Sequence, residues 1–421
     1  MASRRTLRRV VTCQGSIQLI AALSVLGQRD GERGPGAPER RDHLVIYDLW
    51  APAGQVEEFA AFIRRMATLA HEWESIVYVE PGQLSAVAGD LAEHGVERAL
   101  ERVYELTGVR AADEIYLSRN WQFGNQLFTN AYESALKVCY GDSIGIYFSE
   151  AYFSPPAPPA AHASGFSLRG KLRSLKGRLV RPAPPPAPPP RALKEVEFDI
   201  GYFLLPDILG ESPPMKTAPL EKWHALELFQ KMSGLLEEGQ VAGVRTRLAG
   251  RPAVILMTSN FSEAQRMTVE NELAAYVKFL EGLECPRDAV LVVKPHPRDG
   301  AEKIQRLKSA VGGLFADVIV LDETELFFLP FEIFLLRAFN GGGGEVSRGV
   351  RVVTFSTACL SLALLFNLEP LVGFGPALVE EYFRGEHAPG RVRHERDLRL
   401  AIRRIAEGAG SPYEVPQPGM R

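Results

Sequence analysis

The sequence predicts an α/β protein of two domains, each built on a parallel sheet, with the two facing a central cleft. Three observations carry that expectation. Short β-branched apolar runs alternate with helix-length segments, the alternation breaks once at a proline-rich stretch and then resumes, and most runs end in a polar or glycine-containing turn. Alternating strands and helices are the pattern of βαβ units. In open sheets of that kind ligands bind beyond the carboxyl ends of the strands. A chain of 421 residues also exceeds what one core usually organises.

In the first half the runs are RRVVTC, HLVIYDL, SIVYV, EIYLS and KVCYG. The opening residues imitate a secretion signal, since Arg4, Arg5, Arg8 and Arg9 precede an apolar stretch. Gln14, Gly15, Ser16 and Gln18 interrupt that stretch, which reads better as a first strand turning into a helix. Residues 154–193 hold 11 of the 30 prolines and read as an extended spacer. The second set is PAVILMTSN, a helical run through QRMTVENELAAYVKFLEGL, then DAVLVVKPHPRD, ADVIVLD, VRVVTFSTA and EPLVGFG. Nearly continuous apolar strands suit a sheet covered on both faces. The reading is two Rossmann-like domains, residues 1–240 (with the insertion at 154–193) and 241–421, with a few C-terminal residues packing back on the first.

Composition narrows the function. The 46% apolar and 24% charged content is that of a packed protein, and a formal charge of −3 offers no excess of positive charge for nucleic acid. Cys13, Cys139, Cys285 and Cys359 are far apart and lie in apolar runs, which fits a reducing cytoplasm. No stretch approaches the ~18 apolar residues of a spanning helix. The eight histidines show neither HExxH nor a Cys/His cluster, so neither metal nor cofactor is expected.

The sharpest element is KPHPRD, Lys294–Asp299, directly after an apolar strand. His296 lies between Pro295 and Pro297, whose fixed φ presents the imidazole rigidly for a proton or a phosphate. Ser356 and Thr357 open an apolar helix, where free N–H groups and the positive dipole end bind anions, although the pair reads equally as an N-cap. Asp142 lies between Gly141 and Gly145 after KVCY; it either projects a carboxylate into the cleft as a general base or closes a turn. Lesser signals are Thr258, Ser259 and Asn260 after VILM, Gly15 and Ser16 after VVTCQ, and Glu332 at the start of an apolar helix. The run Gly341–Gly344 lacks P-loop spacing and reads as a loop.

Taken in order, the acidic glycine-flanked turn, the HP element and the Ser-Thr element resemble the bacterial polysialyltransferase and sialyltransferase families, and AYESALKVCYGDSIGIYF resembles the acidic-motif stretch of the alpha-2,8-polysialyltransferase-like family. The resemblance implies a GT-B-like fold and metal-free, inverting transfer of sialic acid from CMP-sialic acid to a glycan acceptor. It implies Asp142 as the base, His296 at the departing phosphate, Ser356 and Thr357 on that phosphate, Glu332 on the ribose and Lys294 as nearby charge. Pro297, Ser259 and Asn260 join the donor side, and Gly15, Ser16, Gly141 and Ser143 the acceptor side. Ser143 departs from the family, where a second carboxylate or a glycine commonly follows the acid. Two other readings are a CDP-glycerol or ribitol-phosphate transferase of the teichoic-acid type and a catalytically silent nucleotide-binding relative.

Inside the insertion, residues 165–181 carry six cations and no acid, with Leu168, Leu172, Leu175 and Leu179 on one helical face. That pattern points to an anionic membrane surface, placing the protein in the cytoplasm at the inner face of the cell membrane. A solvated linker is the alternative, because Gly170 and Gly177 weaken the helix.

Overall fold

The computed structural model describes residues 6–34, 38–49, 51–52, 54–147, 192–210, 212–339 and 349–408. The basic segment 165–181 and the glycine run 341–344 lie outside these residues. No helix among the described residues is long and apolar enough to cross a membrane.

The first domain is a seven-stranded parallel sheet in the order β3-β2-β1-β4-β5-β6-β7. Its strands are β1 (Leu7–Cys13), β2 (Arg40–Tyr47), β3 (Ser75–Val79), β4 (Glu114–Leu117), β5 (Leu136–Cys139), β6 (Ile200–Phe203) and β7 (Lys216–Pro219). Helices α1 (Ser16–Arg33), α2 (Val56–Ala70), α3 (Pro81–His94), α4 (Val96–Thr107) and α5 (Phe123–Ala131) connect them. The segment that imitates a secretion signal forms β1 and α1. Helix α1 is buried from Leu19 to Leu26, which explains an apolar composition that runs around the whole helix.

Helices α6 (Lys222–Met232) and α7 (Glu238–Leu248) lead to the second sheet, whose order is β10-β9-β8-β11-β12. Its strands are β8 (Ala253–Met257), β9 (Val290–Lys294), β10 (Asp317–Val320), β11 (Val350–Thr354) and β12 (Leu371–Val372). Helices α8 (Val269–Glu281), α9 (Ala301–Val311), α10 (Thr324–Phe328), α11 (Phe331–Ala338), α12 (Ala358–Phe366), α13 (Pro376–Tyr382) and α14 (Ala388–Ala406) complete it. Residue 240 falls inside α7, between the last strand of one sheet and the first of the other. All pairings in both sheets are parallel.

Both sheets wind outward from a central strand, return, and wind the other way. The reversal falls between β1 and β4 in one domain and between β8 and β11 in the other. Such a switch point opens a crevice at the strands' carboxyl ends. The two domains are Rossmann-like and together GT-B-like, as expected.

A short seam joins them. The ring of Phe328, on α10, stacks on Phe59 of α2 at 4.6 Å and lies 6.0 Å from Phe62. Phe328 is 1% exposed, and burying such a ring is worth about 2–3 kcal/mol. Ser16, opening α1, donates to the Phe328 carbonyl at 2.8 Å. Thr324 donates to Glu58 at 2.9 Å. From the far end of the chain, Arg404 on α14 donates to the Ile208 carbonyl at 3.3 Å.

Candidate active site

The first domain contributes the ends of β1, β2, β4 and β5. After β5 the chain turns so tightly that Asp142 and Ile146 exchange backbone hydrogen bonds, at 2.8 and 3.2 Å. Gly141 and Gly145 have positive φ, 76° and 59°. A Cβ on Gly141 would lie 2.5 Å from the Ile146 oxygen, and one on Gly145 2.8 Å from the Leu204 nitrogen. Only glycine serves at both places. Ser143 adopts φ 54°, the left-handed region glycine favours, so serine preserves the turn at a backbone cost of about 1–2 kcal/mol.

The turn fixes the Asp142 carboxylate in a buried position. Arg119, two residues beyond β4, donates to it and pairs with its charge, and Gln18 Nε2 donates at 3.1 Å. Burial raises the Asp142 pKa against the opposing pull of Arg119 and Gln18. Gln14 links the neighbouring strand ends, donating to Asp48 at 3.1 Å and to Gln122 at 3.0 Å. A Cβ on Gly15 would meet nothing within 4 Å, whereas the Ser16 hydroxyl is engaged at the seam.

The second domain contributes the ends of β8, β9 and β11. The His296 N–H donates to Thr258 Oγ1 at 2.8 Å and to Asp299 Oδ2 at 2.9 Å, and Thr258 donates to Asp299 at 2.5 Å. Asp299 thus folds the HP turn back onto the end of β8. The backbone N–H of Arg298 donates to Nδ1 of His296 at 3.1 Å. With Nδ1 accepting, the neutral ring carries its proton on Nε2. Burial, then Arg298, Lys303 and Lys294, push the His296 pKa down to about 3. The imidazole is therefore a neutral donor at physiological pH, not an imidazolium. Pro297 completes the turn, half-exposed.

Asp299 is held in turn by Lys303, whose ammonium sits 2.8 Å from Asp299, 2.8 Å from Glu272 and 3.0 Å from Glu263. Among the described residues these three carboxylates are the group close enough together to hold a metal, and the lysine ammonium lies among them. Burial raises the Asp299 pKa to about 6 against the pull of Lys303 and Thr258. Ser259 is buried, with its N–H donating to the Tyr276 hydroxyl at 2.8 Å, and the Asn260 carbonyl accepts from Ala264 at 2.9 Å.

Lys294 lies deeper. Its ammonium donates to the Phe327 carbonyl and is 5.7 Å from the Phe327 ring centroid, and burial lowers its pKa to about 7 despite Glu332 and Asp299. Glu332 is buried and accepts from Ser361; burial raises its pKa. Ser356 and Thr357 form the half-exposed start of α12, where Ser356 Oγ accepts from the Ala358 N–H at 3.4 Å and the Thr357 side chain makes no capping bond.

The seam brings the halves together. Ser16 bonds the Phe328 carbonyl while Lys294 bonds that of Phe327, so the start of α1, two residues from Gln18, and the end of β9, two residues from His296, meet at one corner. Farther out, exposed Asp48 of the first domain acts electrostatically on Arg298 of the second. What results is a carboxylate beyond β5 of one domain and an N–H donor beyond β9 of the other, with the hydroxyls of Ser356 and Thr357 following β11.

Residues 125–338 match the alpha-2,8-polysialyltransferase family over just over half of the chain. The chain belongs to this family. Asp142, His296 and Glu332 fall within the matched range; Ser356 and Thr357 lie beyond it. A polysialyltransferase-family chain of this architecture is a glycosyltransferase. No curated protein sequence matches. Similar solved structures include the S. aureus MnaA–UDP complex (9% identity, 95% of this chain, 88% of that chain, TM-score 0.44). The N-terminal domain of Candida albicans trehalose-6-phosphate phosphatase is another (12%, 95%, 93%, 0.38). A third is the E. coli trehalose-6-phosphate structure with UDP-2-fluoro glucose (10%, 97%, 100%, 0.39). The fold assignment rests on the two sheet orders and not on these likenesses.

Sequence reasoning missed Arg119, Gln18, Asp299 and Lys303 as supports of the two central groups. The available signals were slight: Arg119 follows a strand end, Asp299 is three residues after His296, and Lys303 one helical turn beyond that.

Proposed function

We propose that the enzyme transfers sialic acid from CMP-sialic acid to a glycan acceptor by inversion, without a metal. The observation that carries the reading is a buried carboxylate, Asp142, and a neutral imidazole, His296, each beyond the carboxyl end of a strand in one of two domains that the seam joins at one corner. Asp142 takes the proton of an acceptor hydroxyl as its oxygen attacks the anomeric carbon; the bond from that carbon to the phosphate oxygen breaks, and CMP leaves with the electron pair. A carboxylate with a raised pKa is the stronger base. His296 donates Nε2–H to the departing phosphate, and Ser356 and Thr357 bind it at the start of α12. Glu332 holds the ribose hydroxyls with Lys294 behind it, and Ser259, Asn260 and Pro297 line the donor side. Gly15, Gly141 and Ser143 border the acceptor, with Ser16 anchoring that side to the seam.

An acceptor on a cell-surface polysaccharide or glycolipid would place the enzyme at the inner face of the membrane, where the basic segment 165–181 meets anionic lipid. Co-sedimentation with anionic vesicles that survives deletion of residues 155–190 would remove that contact. The donor is tested with CMP-sialic acid and CDP-glycerol offered separately under chelation. CMP release coupled to glycan extension from the first alone is expected; release from CDP-glycerol alone overturns the assignment in favour of the teichoic-acid-type reaction.

A further inference from the structure

The proposed transfer leaves polar and aromatic groups at three strand ends of the first domain without a task. Gln14 directly follows β1, Asp48 directly follows β2, and Trp121 and Gln122 lie between β4 and α5. Gln14 is 9% exposed, and its Nε2 donates to Asp48 Oδ2 at 3.1 Å and to Gln122 Oε1 at 3.0 Å. A carboxylate only accepts, so the amide is fixed with its nitrogen toward Asp48. That orientation leaves Gln14 Oε1 buried and without a hydrogen-bond partner. Buried acceptors are nearly always satisfied, so this one calls for a donor from outside.

The same groups reach the proposed base. Gln18 Oε1 accepts from the Gln14 N–H at 2.8 Å, while Gln18 Nε2 donates to Asp142 at 3.1 Å. Arg119, which donates to Asp142, has its guanidinium 5.1 Å from the Trp121 ring centroid. The half-buried ring of Trp121 therefore lies one side chain away from Asp142. Asp48 is exposed and holds a left-handed backbone, φ 49°, a conformation that clusters at ligand sites when it falls outside glycine.

We propose that Gln14, Asp48 and Trp121 form a subsite for an uncharged sugar ring of the acceptor glycan. An amide oxygen and a carboxylate accept from hydroxyls, and an indole face receives the C–H face of a pyranose. An acidic sugar would instead bring its anion to Asp48. Asp142 is matched by Arg119, and Asp48 acts electrostatically on Arg298 of the second domain, so these four groups hold no surplus positive charge for a sugar carboxylate. Resting on the proposed transfer, the subsite deepens it: the acidic residue is added to a neutral glycan rather than to an acidic one.

The test titrates the full chain and its Asp48→Asn, Trp121→Leu and Trp121→Phe variants by saturation-transfer NMR. The probes are the methyl glycosides of galactose, glucose and N-acetylglucosamine, an N-acetylneuraminate trimer, and CMP. At least one neutral glycoside should bind the wild type more tightly than the trimer does. Asp48→Asn should weaken that glycoside about threefold to tenfold, as a charge-assisted hydrogen bond becomes a neutral one, and should not weaken the trimer. Trp121→Leu should weaken the glycoside about tenfold, with Trp121→Phe between and CMP changed less than about twofold. A wild type that takes up none of the three glycosides, or prefers the trimer to all of them, overturns the subsite; so does unchanged glycoside binding in Asp48→Asn, whose exposed side chain leaves the fold intact. CMP bound with the glycosides ignored refutes the subsite and spares the donor; glycosides bound with CMP ignored does the reverse.

Discussion

Asp142 and His296 each follow a strand's carboxyl end, the fifth strand of one sheet and the second of the other, and their surroundings are opposites. Burial favours the neutral form of each, raising the acid and lowering the imidazole. Asp142, however, has a countercharge supplied by its own domain in Arg119. His296 is ringed by Arg298, Lys303 and Lys294, all of which repel a further proton. The acid is paired within its own domain, whereas the imidazole sits among cations that are themselves paired with acids, Lys303 with Asp299, Glu272 and Glu263. The comparison teaches that the same burial acts on a group with a paired countercharge in one half and on a group among like charges in the other.

The hardest challenge to this contrast is a pair of substitutions. Asp142→Asn should lower the turnover rate about 10³–10⁴-fold while CMP binds as before, and His296→Ala should lower it about 10²-fold while also weakening CMP. Steady-state CMP release and nucleotide titration read both; weakened CMP binding in Asp142→Asn would erase the division of labour. Next comes Arg119→Gln, which removes one partner of a buried pair and should cost about 3–5 kcal/mol by urea unfolding. Arg119 lowers the Asp142 pKa, so without it the acidic limb of kcat/KM should move to higher pH. An unmoved limb means Asp142 is not the titrating base.

A smaller effect sharpens the other side. His296 has a folded pKa of about 3 against an ordinary 6.5, so its neutral form contributes stability that is present above pH 6.5 and lost as pH falls toward 3. His296→Asn should therefore lose about 1–2 kcal/mol less than the wild type between pH 6.5 and 4.5 in urea unfolding. Equal losses would show an uncrowded imidazole. Smallest is Ser143→Gly, which relieves a left-handed serine and should stabilise by up to about 1 kcal/mol with turnover changed less than twofold. A large gain in turnover would mean that the serine restrains the acid and would favour the silent reading of this chain.

Much of the frame was legible in the sequence because strands covered on both faces announce themselves as apolar runs. All five strands of the second sheet and five of the first were readable. β6 and β7 were not: they follow the proline-rich insertion, each has four residues, and β7 presents little apolar surface. Asp142 and His296 stood out because glycines and prolines mark special backbone. Arg119 and Lys303 carry no such mark, since a single cation in sequence does not reveal which distant acid it meets. Ser16 was legible as a polar turn, but its partner Phe328 lies 312 positions away.

That serine and the Phe59–Phe328 stack lie at the inner corner where the domains meet. Parting the domains at this corner would wet a stacked ring pair and leave the Phe328 carbonyl without its hydroxyl donor, so the join is guarded by an apolar and a polar loss together.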